Sequence, residues 1–319
     1  MVEIAQRRSK VAIVGAGSVG ATIAYACLIR GVGRTIALYD LNADKVRAEV
    51  LDLNQGIQFV PMANVVGSDD VAVTADADIV IITAGAKQKP GQTRLELAGV
   101  NVAMCRAMMP GLVDASPDAL FLLVTNPVDV LTYAALKYSG LPTHRVFGSG
   151  TVLDSSRLRI LLAEHCGVAV QSVHAFIVGE HGDSELPLWS RAAIGPVPLA
   201  EWSVPGRPSV DDATRADIAQ QVVRAAEKII LGKGATNYAI GLSTARIIEA
   251  ALYDEGSVLP VSSLLEGQYD IKDVCLSLPS IVNRRGVETV LTPPLTPEET
   301  DGLRRSADTV RGVARSLGL

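Results

Sequence analysis

The sequence predicts an α/β protein in which a doubly wound parallel sheet is followed by an α+β region. In the first half, short apolar runs rich in β-branched residues alternate with stretches of helical periodicity. Hydrophobic residues make up 48% of the chain but aromatic residues only 4%, a composition that suits helices packed on an aliphatic sheet. At 319 residues the chain is long for one hydrophobic core, so we expect two domains.

The elements of the first half follow one another in strand–helix–strand order. The predicted strands are residues 11–14, 35–39, 79–83 and 121–125, and the predicted helices are residues 19–30, 45–55 and 94–114. The second half has a helix at 155–166, a strand at 173–178, a proline-rich loop at 195–209 and helical residues 211–252 interrupted near 232–234. Short strands at 258–264, 274–278 and 288–291 precede a last helix, which begins with a capping box of Thr296 and Glu299 around Pro297. We expect one domain over residues 1–149 and a second over residues 150–319.

Charge and cysteine usage exclude several classes of protein. The formal net charge of −5 argues against a nucleic-acid partner, because phosphate binding needs a basic face. A signal peptide or membrane span is an alternative for residues 11–29, which are uncharged and follow Arg7, Arg8 and Lys10, but three glycines make this stretch a poor apolar helix. We therefore expect no membrane association. Four scattered cysteines lack zinc-site spacing and predict no metal and a cytoplasmic protein with reduced thiols: Cys27, Cys105, Cys166 and Cys275.

A glycine-rich turn follows directly on the first predicted strand. Gly15, Gly17 and Gly20 form the pattern G-x-G-x-x-G, whose glycines allow a tight turn and close approach of the backbone to a pyrophosphate. The helix that opens with Ser18 and Val19 offers unpaired N–H groups and the positive end of its dipole to the phosphates. The pattern alone is a weak signal, and its interpretation depends on the residue at the end of the second strand.

Asp40 strengthens that interpretation and selects the cofactor. It ends the second predicted strand, 20 residues after Gly20, where a carboxylate can accept hydrogen bonds from an adenosine ribose. A carboxylate there repels the 2′-phosphate of NADP, and residues 41–43 contain no arginine to attract it. The alternative is an ordinary turn residue at the end of a strand. With the glycines, Asp40 predicts a Rossmann-type domain that binds NAD.

Three further segments carry residue types suited to catalysis. His181 follows a predicted strand, and histidine is the side chain that exchanges a proton near neutral pH. Asp154 and Arg157 open a predicted helix three residues apart, so they project on the same side. Residues 85–94 follow the strand at 79–83, at the edge where ligands bind in such sheets. Taken singly, each has a structural alternative, because a lone histidine is often structural and an Asp–Arg pair usually lies on the surface.

The segments around these residues match a known family in order and spacing. They are residues 125–129 (TNPVD), 148–150 (GSG), 153–157 (LDSSR) and 179–182 (GEHG). In these motifs the chain resembles the lactate/malate dehydrogenase family, and over nearly its whole length it is similar to the bacterial L-lactate dehydrogenases of that family. The resemblance implies reversible hydride transfer between NADH and pyruvate, giving L-lactate and NAD+.

The resemblance also implies a role for each matching residue. His181 donates a proton to the substrate carbonyl and takes it back in the reverse direction, while Asp154 orients the imidazole and stabilises its charged form. Arg157 binds the substrate carboxylate as a bidentate pair, and Arg94 polarises the carbonyl once a mobile loop closes. The remaining substrate residues are Asn126 and Thr236, and the further cofactor residues at the sheet edge are Thr83, Gly85, Asn126 and Ser149.

Gln88 is the residue that separates two substrates. In relatives that act on malate, this position is an arginine that pairs with the second carboxylate of oxaloacetate. The neutral Gln88 leaves that charge without a partner in a closed, dry site, which costs several kcal/mol. Pyruvate and L-lactate are therefore the expected substrates. Malate dehydrogenase activity stays the alternative, because Lys87 and Lys89 flank the position.

Two basic residues suggest regulation. Arg159 and His174 match positions that bind fructose 1,6-bisphosphate across a subunit interface in many bacterial lactate dehydrogenases. The resemblance also implies a homotetramer, in which cationic groups from two chains would hold the two phosphates. The alternative is that Arg159 is an exposed helix residue and His174 a polar residue at a strand end.

Two hypotheses from other functional classes stay open at this point. An NAD- and metal-dependent glycosidase shares this type of fold, but it needs a Cys/His metal site near the cofactor, which residues 125–128 do not offer. A non-catalytic NAD-binding module is the other alternative. It predicts no use for His181, Asp154, Arg157 and Arg94 together.

Overall fold

The computed structural model describes residues 9–86 and 93–319. Gln88 and its neighbours at 87–92 therefore lie outside the described residues. The described helices, in chain order, are α1 (Ser18–Arg30), α2 (Ala43–Gln55), α3 (Arg94–Ala115), α4 (Val128–Ser139), α5 (Val152–Cys166), α6 (Asp212–Lys233), α7 (Tyr238–Leu252) and α8 (Pro297–Ser316).

The described strands form one large sheet and two small ones. They are β1 (Lys10–Val14), β2 (Thr35–Tyr39), β3 (Asn64–Ser68), β4 (Ile79–Ile82), β5 (Leu120–Leu123), β6 (Val146–Gly148), β7 (Val173–His174), β8 (Ile177–Val178), β9 (Leu186–Pro187), β10 (Ala193–Ile194), β11 (Val197–Pro198), β12 (Ser257–Glu266), β13 (Lys272–Asn283) and β14 (Gly286–Val290). The large sheet has nine strands in the order β14–β13–β12–β6–β5–β4–β1–β2–β3. The small sheets have the orders β11–β10–β7 and β8–β9.

Six parallel strands, from β3 to β6, form the doubly wound part of the large sheet and confirm the predicted fold class. The chain moves outward from β1 in one direction to β2 and in the other to β4. Helix α1, which follows β1, and helix α3, which follows β4, pack on opposite faces of the sheet. A crevice therefore forms between them at the carboxyl edge, which is where ligands bind in such sheets.

The parallel strands are buried on both faces because their side chains alternate between two apolar clusters. Ala12 and Val14 of β1 pack on one side, where Met109 of α3 is fully buried. Val11 and Ile13 pack on the other side, with side chains of α1 and α7. This arrangement explains the continuous apolar runs from which the strands are predicted.

The second half of the chain extends the same sheet. Ser262 of β12 pairs antiparallel with Gly148 of β6, and β13 and β14 continue outward from β12. The strands predicted at 258–264, 274–278 and 288–291 are therefore confirmed, although β12 and β13 are longer than predicted. The predicted capping box of the last helix is also confirmed, with Glu299 N donating to the Thr296 hydroxyl and Thr296 N to the Glu299 carboxylate.

The prediction of a single strand at residues 173–178 is wrong. This segment divides into β7 and β8, which belong to different small sheets. The reason lies in helix α5, whose side chains bind the backbone between β7 and β8 and at the first residue of β8. Arg159 Nε donates to Ala175 O at 2.9 Å, and Ile177 N donates to Ser155 Oγ at 2.8 Å. These bonds replace the strand pairing that a continuous strand would need.

Other elements differ from the prediction in simpler ways. The predicted loop at 195–209 contains the short strand β11. Strands β3, β6, β9 and β10 and helix α4 are not among the predicted elements. Strand β3 is an edge strand with one buried residue, Val65, so it lacks an apolar run.

Residues 11–29, the alternative membrane segment, lie in β1, the glycine turn and α1. Among the described ranges, none of the helices has both the length and the apolar character needed to cross a membrane.

Candidate active site

The glycine turn lies at the carboxyl end of β1, in the crevice beside β4. Gly15 has a φ of +103°, and a Cβ on it would lie 2.8 Å from Ala84 N. A Cβ on Gly20 would lie 1.9 Å from Gly15 O, so helix α1 can approach the turn only because residue 20 has no side chain. Thr83 Oγ1 donates to Gly15 O at 2.9 Å and links the turn to the end of β4.

The N-terminus of α1 is suited to bind an anion. Gly17 is its N-cap residue in extended backbone conformation, and no side chain caps the helix. The first bond within the helix runs from Ala21 N to Gly17 O, so the N–H groups of Ser18 and Val19 have no acceptor within the helix. A Cβ on Gly17 would meet nothing closer than Lys45 Nζ at 3.9 Å, so open space lies in front of the helix end. This space and these donors fit the pyrophosphate of a dinucleotide.

Asp40 lies next to the same turn, at the end of β2. Its Oδ2 accepts from Ala16 N at 2.8 Å, and its Oδ1 accepts from Asn42 N at 3.0 Å. The carboxylate thus braces the glycine turn while keeping further lone pairs for a ligand. This position fits the predicted contact with a ribose, and the contact itself stays a prediction.

The sequence interpretation missed Asn101, which connects two predicted cofactor segments. This side chain is buried in α3; its Oδ1 accepts from Ala86 N at 2.8 Å and its Nδ2 donates to Asn126 O at 2.9 Å. Gly85 is next to this link, and Ser149 lies buried at the end of β6, where its N donates to Leu123 O. The cofactor residues predicted after β4, β5 and β6 therefore lie together at the carboxyl edge of the large sheet. An asparagine inside a helix carries no local signal of such a role.

His181, Asp154 and Arg157 form one hydrogen-bonded cluster. His181 Nδ1 and Asp154 Oδ2 are 2.5 Å apart, and Arg157 Nη1 donates to Asp154 Oδ1 at 2.7 Å. The Asp154 side chain is 1% exposed, whereas that of His181 is 24% exposed. Because Asp154 occupies Nδ1, the other ring nitrogen, Nε2, is the one that can exchange a proton with a ligand.

The cluster favours a protonated imidazole. Burial acts to lower the pKa of His181, but the charge and the hydrogen bond of Asp154 raise that pKa to about 9. Burial acts in the opposite direction on Asp154, whose pKa is nevertheless held below its usual value by His181 and Arg157. The pair therefore holds an imidazolium beside a carboxylate near neutral pH, which is the state that can donate a proton.

Asp129 also acts on His181, and the sequence interpretation gave it no role. Its Oδ2 accepts from His181 N at 2.8 Å, and its Oδ1 accepts from Ser262 Oγ at 2.6 Å. Burial raises its pKa to about 6, against these two hydrogen bonds. Asp129 thus fixes the backbone of the residue that carries the imidazole. It belongs to the TNPVD motif, but only the tertiary structure brings it to His181.

Arg94 lies beside the segment that contains His181, but it is not part of the cluster of His181, Asp154 and Arg157. It is the first residue of α3, which begins with a capping box of Thr93 and Glu96. Its Nη1 is 2.5 Å from Asp183 Oδ2, and both side chains are largely exposed. Such an exposed pair contributes little to stability. Thr236 lies in the connection between α6 and α7, so its predicted substrate contact stays a prediction, as does that of Gln88.

The structure brings Arg159 and His174 onto neighbouring segments. Arg159 Nε donates to the carbonyl of Ala175, the residue after His174, and its guanidinium lies 4.9 Å from the centre of the Phe176 ring. His174 is exposed at the end of β7. The side chain of Arg159 is therefore partly engaged within its own chain.

Comparison with known families matches almost the whole chain. The model for the lactate/malate dehydrogenase NAD binding domain matches residues 9–148. The model for the lactate/malate dehydrogenase alpha/beta C-terminal domain matches residues 151–314.

Curated relatives and solved structures agree with these matches. The chain is 51% identical over 319 residues to an L-lactate dehydrogenase of Bifidobacterium animalis subsp. lactis, covering 100% of both chains. It is 47% identical over 308 residues to an L-lactate dehydrogenase of a Synechococcus species, covering 97% of this chain and 99% of the relative. The crystal structure of a lactate dehydrogenase from a deep-sea metagenome library is similar with a TM-score of 0.94 and 37% identity, covering 98% of this chain and 100% of that one. The minor L-lactate dehydrogenase of Enterococcus mundtii gives a TM-score of 0.91 and 39% identity, covering 97% and 98% of the two chains.

Two glycine variants separate binding of NADH from folding. Gly17→Ala should leave the melting temperature near that of the parent, because the added Cβ meets nothing closer than 3.9 Å. It should weaken NADH binding by roughly tenfold or more, because a methyl group then stands where the pyrophosphate approaches the helix end. Gly20→Ala should lower both the melting temperature and the affinity, because its Cβ would collide with Gly15 O. Thermal unfolding and fluorescence titration with NADH measure both effects, and parental NADH affinity in Gly17→Ala would disprove the placement of the pyrophosphate.

Proposed function

We propose that this chain, which belongs to the lactate/malate dehydrogenase family, is an NAD-dependent L-lactate dehydrogenase that interconverts pyruvate and L-lactate. The observation that carries the proposal is the hydrogen-bonded cluster of His181, Asp154 and Arg157 in a chain that is similar to L-lactate dehydrogenases over its full length. NAD is the cofactor implied by the family's NAD-binding domain, and it supplies or accepts the hydride when bound.

His181 is the proposed acid and base. In the direction of reduction its Nε2–H donates a proton to the carbonyl oxygen of pyruvate, and in the direction of oxidation the neutral nitrogen takes that proton back. Asp154 holds the ring through Nδ1 and stabilises the imidazolium before the proton leaves. Asp129 acts as a positioning residue through the backbone of His181.

Two arginines orient and polarise the substrate in this proposal. Arg157 binds the carboxylate of the 2-oxo acid with the guanidinium nitrogens that Asp154 does not occupy. Arg94 exchanges its exposed contact with Asp183 for the carbonyl oxygen of the substrate. Asn126 and Thr236 complete the substrate side. The segments that follow β1, β2, β4, β5 and β6 hold the cofactor through Gly15, Gly17, Ser18, Val19, Gly20, Asp40, Thr83, Gly85, Asn126 and Ser149.

We also propose how the chain is divided and where it acts. Residues 1–149 form the NAD-binding domain and residues 150–319 the substrate domain, because the parallel strands end at Gly148 and the cluster of His181, Asp154 and Arg157 lies beyond them. The scattered cysteines, which are all free and buried, support the cytoplasm as the location.

Substrate preference tests the function and the role of Gln88 together. The parent should oxidise NADH with pyruvate much faster than with oxaloacetate. Gln88→Arg should shift the ratio of the two kcat/KM values towards oxaloacetate by orders of magnitude, because it adds a partner for the second carboxylate. Gln92→Arg is the matched control, since it adds the same charge elsewhere in the segment. A ratio that is equal in the parent and Gln88→Arg would remove Gln88 from its role, and a parent that prefers oxaloacetate would favour the malate dehydrogenase alternative.

Asp154→Asn tests the acid and base assignment. Loss of the carboxylate charge should lower the pKa of His181 from about 9, so the fall of kcat/KM for pyruvate at alkaline pH should begin at least one unit lower. The value of kcat/KM at pH 7 should fall by about 100-fold or more. Glu164→Gln, which removes an exposed carboxylate from the same helix, should leave the profile in place. An unchanged alkaline limb in Asp154→Asn would mean that another group donates the proton.

A homotetramer activated by fructose 1,6-bisphosphate is the regulatory part of the proposal. Arg159 and His174 lie on adjoining segments, where two copies of the pair from facing subunits would supply cations to two phosphates. Activation requires Arg159 to exchange its contact with Ala175 for a phosphate.

Titration with fructose 1,6-bisphosphate at sub-saturating pyruvate measures this activation. The parent rate should rise, and His174→Gln should need a higher effector concentration for the same rise, because it lacks one of the side chains proposed to bind phosphate. Inorganic phosphate at equal ionic strength is the control for a general salt effect. A flat response of the parent would exclude the effector.

A further inference from the structure

A third carboxyl group, that of Glu185, lies beside the His181–Asp154 pair. Polar atoms of Glu185, Asp154 and His181 all lie within 4.8 Å of one another. Glu185 Oε1 is buried, and it has no hydrogen-bond partner among the residues that the structure describes. Burial of a carboxylate without a partner costs far more free energy than burial of the neutral acid. The geometry therefore favours a proton on Glu185.

Charged groups of both signs lie near Glu185. Helix α5 supplies Asp154 and Arg157, and the guanidinium of Arg157 is already bonded to Asp154. Arg224 of α6 lines the same cleft as Glu185, and Asp129 of α4 is bonded to the backbone of His181. Glu180, His181 and Asp183 belong to the same segment as Glu185. Glu180 accepts from the hydroxyl of Ser184, so it is satisfied within its own segment.

The pKa values agree with the geometry. Burial, followed by the charge of Asp154, raises the pKa of Glu185 to about 8, although His181 and Arg157 act in the opposite direction. Asp154 is held ionised by the same two cations. Two carboxyl groups at one imidazole thus have opposite protonation states near pH 7.

Glu185 also lines a cleft that is large enough to admit water, a source of exchangeable protons. The cleft has a volume of about 310 Å³ and lies between helix α6 on one side and β9 with the residue before it on the other. Its lining residues are Glu185, Pro187, Ala219, Gln220, Val223 and Arg224.

We propose that Glu185 must hold a proton for the 2-oxo acid to bind, and that its ionisation opposes binding as strongly as loss of the proton of His181. The proposal rests on the proposed function. Ionisation of Glu185 adds a negative charge to a site in which Asp154 and Asp129 already balance Arg157 and protonated His181. The carboxylate of the substrate then meets a net negative charge in a largely buried site, which opposes binding. Glu185 is therefore a positioning residue: its charge state controls binding of the substrate. It takes no part in proton transfer to the substrate.

The pH dependence of kcat/KM for pyruvate tests the proposal, because it reports ionisations of the free enzyme. Above pH 9 the logarithm of kcat/KM should fall with a slope approaching two in the parent and one in Glu185→Gln, since Gln keeps the size but cannot ionise. From pH 7 to 9.5 the loss in the parent should exceed that of Glu185→Gln by roughly thirtyfold, as expected for a group with a pKa of about 8. Glu180→Gln, on the same segment, is the matched control and should keep the slope of two.

A binding measurement covers the case in which Glu185→Gln turns over poorly. Calorimetry of oxamate, an isostere of pyruvate, with the NADH complex in two buffers of different ionisation enthalpy counts the protons taken up at pH 8.5. The parent should take up several times more protons than Glu185→Gln. Equal slopes or equal proton uptake in the two proteins would overturn the role of Glu185 and leave the proposed function intact. A parent that does not reduce pyruvate at all would overturn the proposed function instead.

Discussion

The carboxylate of Asp154 is the constraint on which the rest of the site depends. It is buried, and both of its oxygens are bonded, one to His181 and the other to Arg157. An ionised carboxylate in such a place is stable only if these two cations stay in position. The fold must therefore hold the start of helix α5 against the segment that follows β8.

Helix α5 achieves this with its own neighbouring side chains. Thr151, its N-cap residue, donates from Oγ1 to Ile177 O at 2.6 Å, and Ser155 accepts from Ile177 N at 2.8 Å. The helix that supplies Asp154 thus also binds the strand that leads to His181. Asp129 holds the other side, through the backbone of His181. The imidazole is fixed by three elements at once, and its surroundings set its pKa.

How far the sequence predicts this structure depends on the range of the interactions involved. The glycine turn, Asp40 and the capping box at Thr296 follow from rules that act over a few residues or along one strand–turn–helix unit, and the structure contains them. The contact between His181 and Asp154 spans 27 positions and was expected only through a family resemblance. The roles of Asp129 and Glu185 could not be predicted, because the burial and charge that raise their pKa values exist only in the folded chain. The division of residues 173–178 into two strands likewise results from bonds with α5.

The pKa of the His181 imidazole tests the central claim most directly. The chain has four histidines, so proton–carbon NMR of protein labelled at histidine Cε1 resolves few signals, and His181→Gln identifies the one that belongs to residue 181. A titration from pH 5 to pH 10 should give a pKa of about 9 for that signal, because the buried Asp154 carboxylate stabilises the charged ring. A value at or below the ordinary 6.5 would contradict the account, since it would mean that Asp154 does not hold an imidazolium in this site.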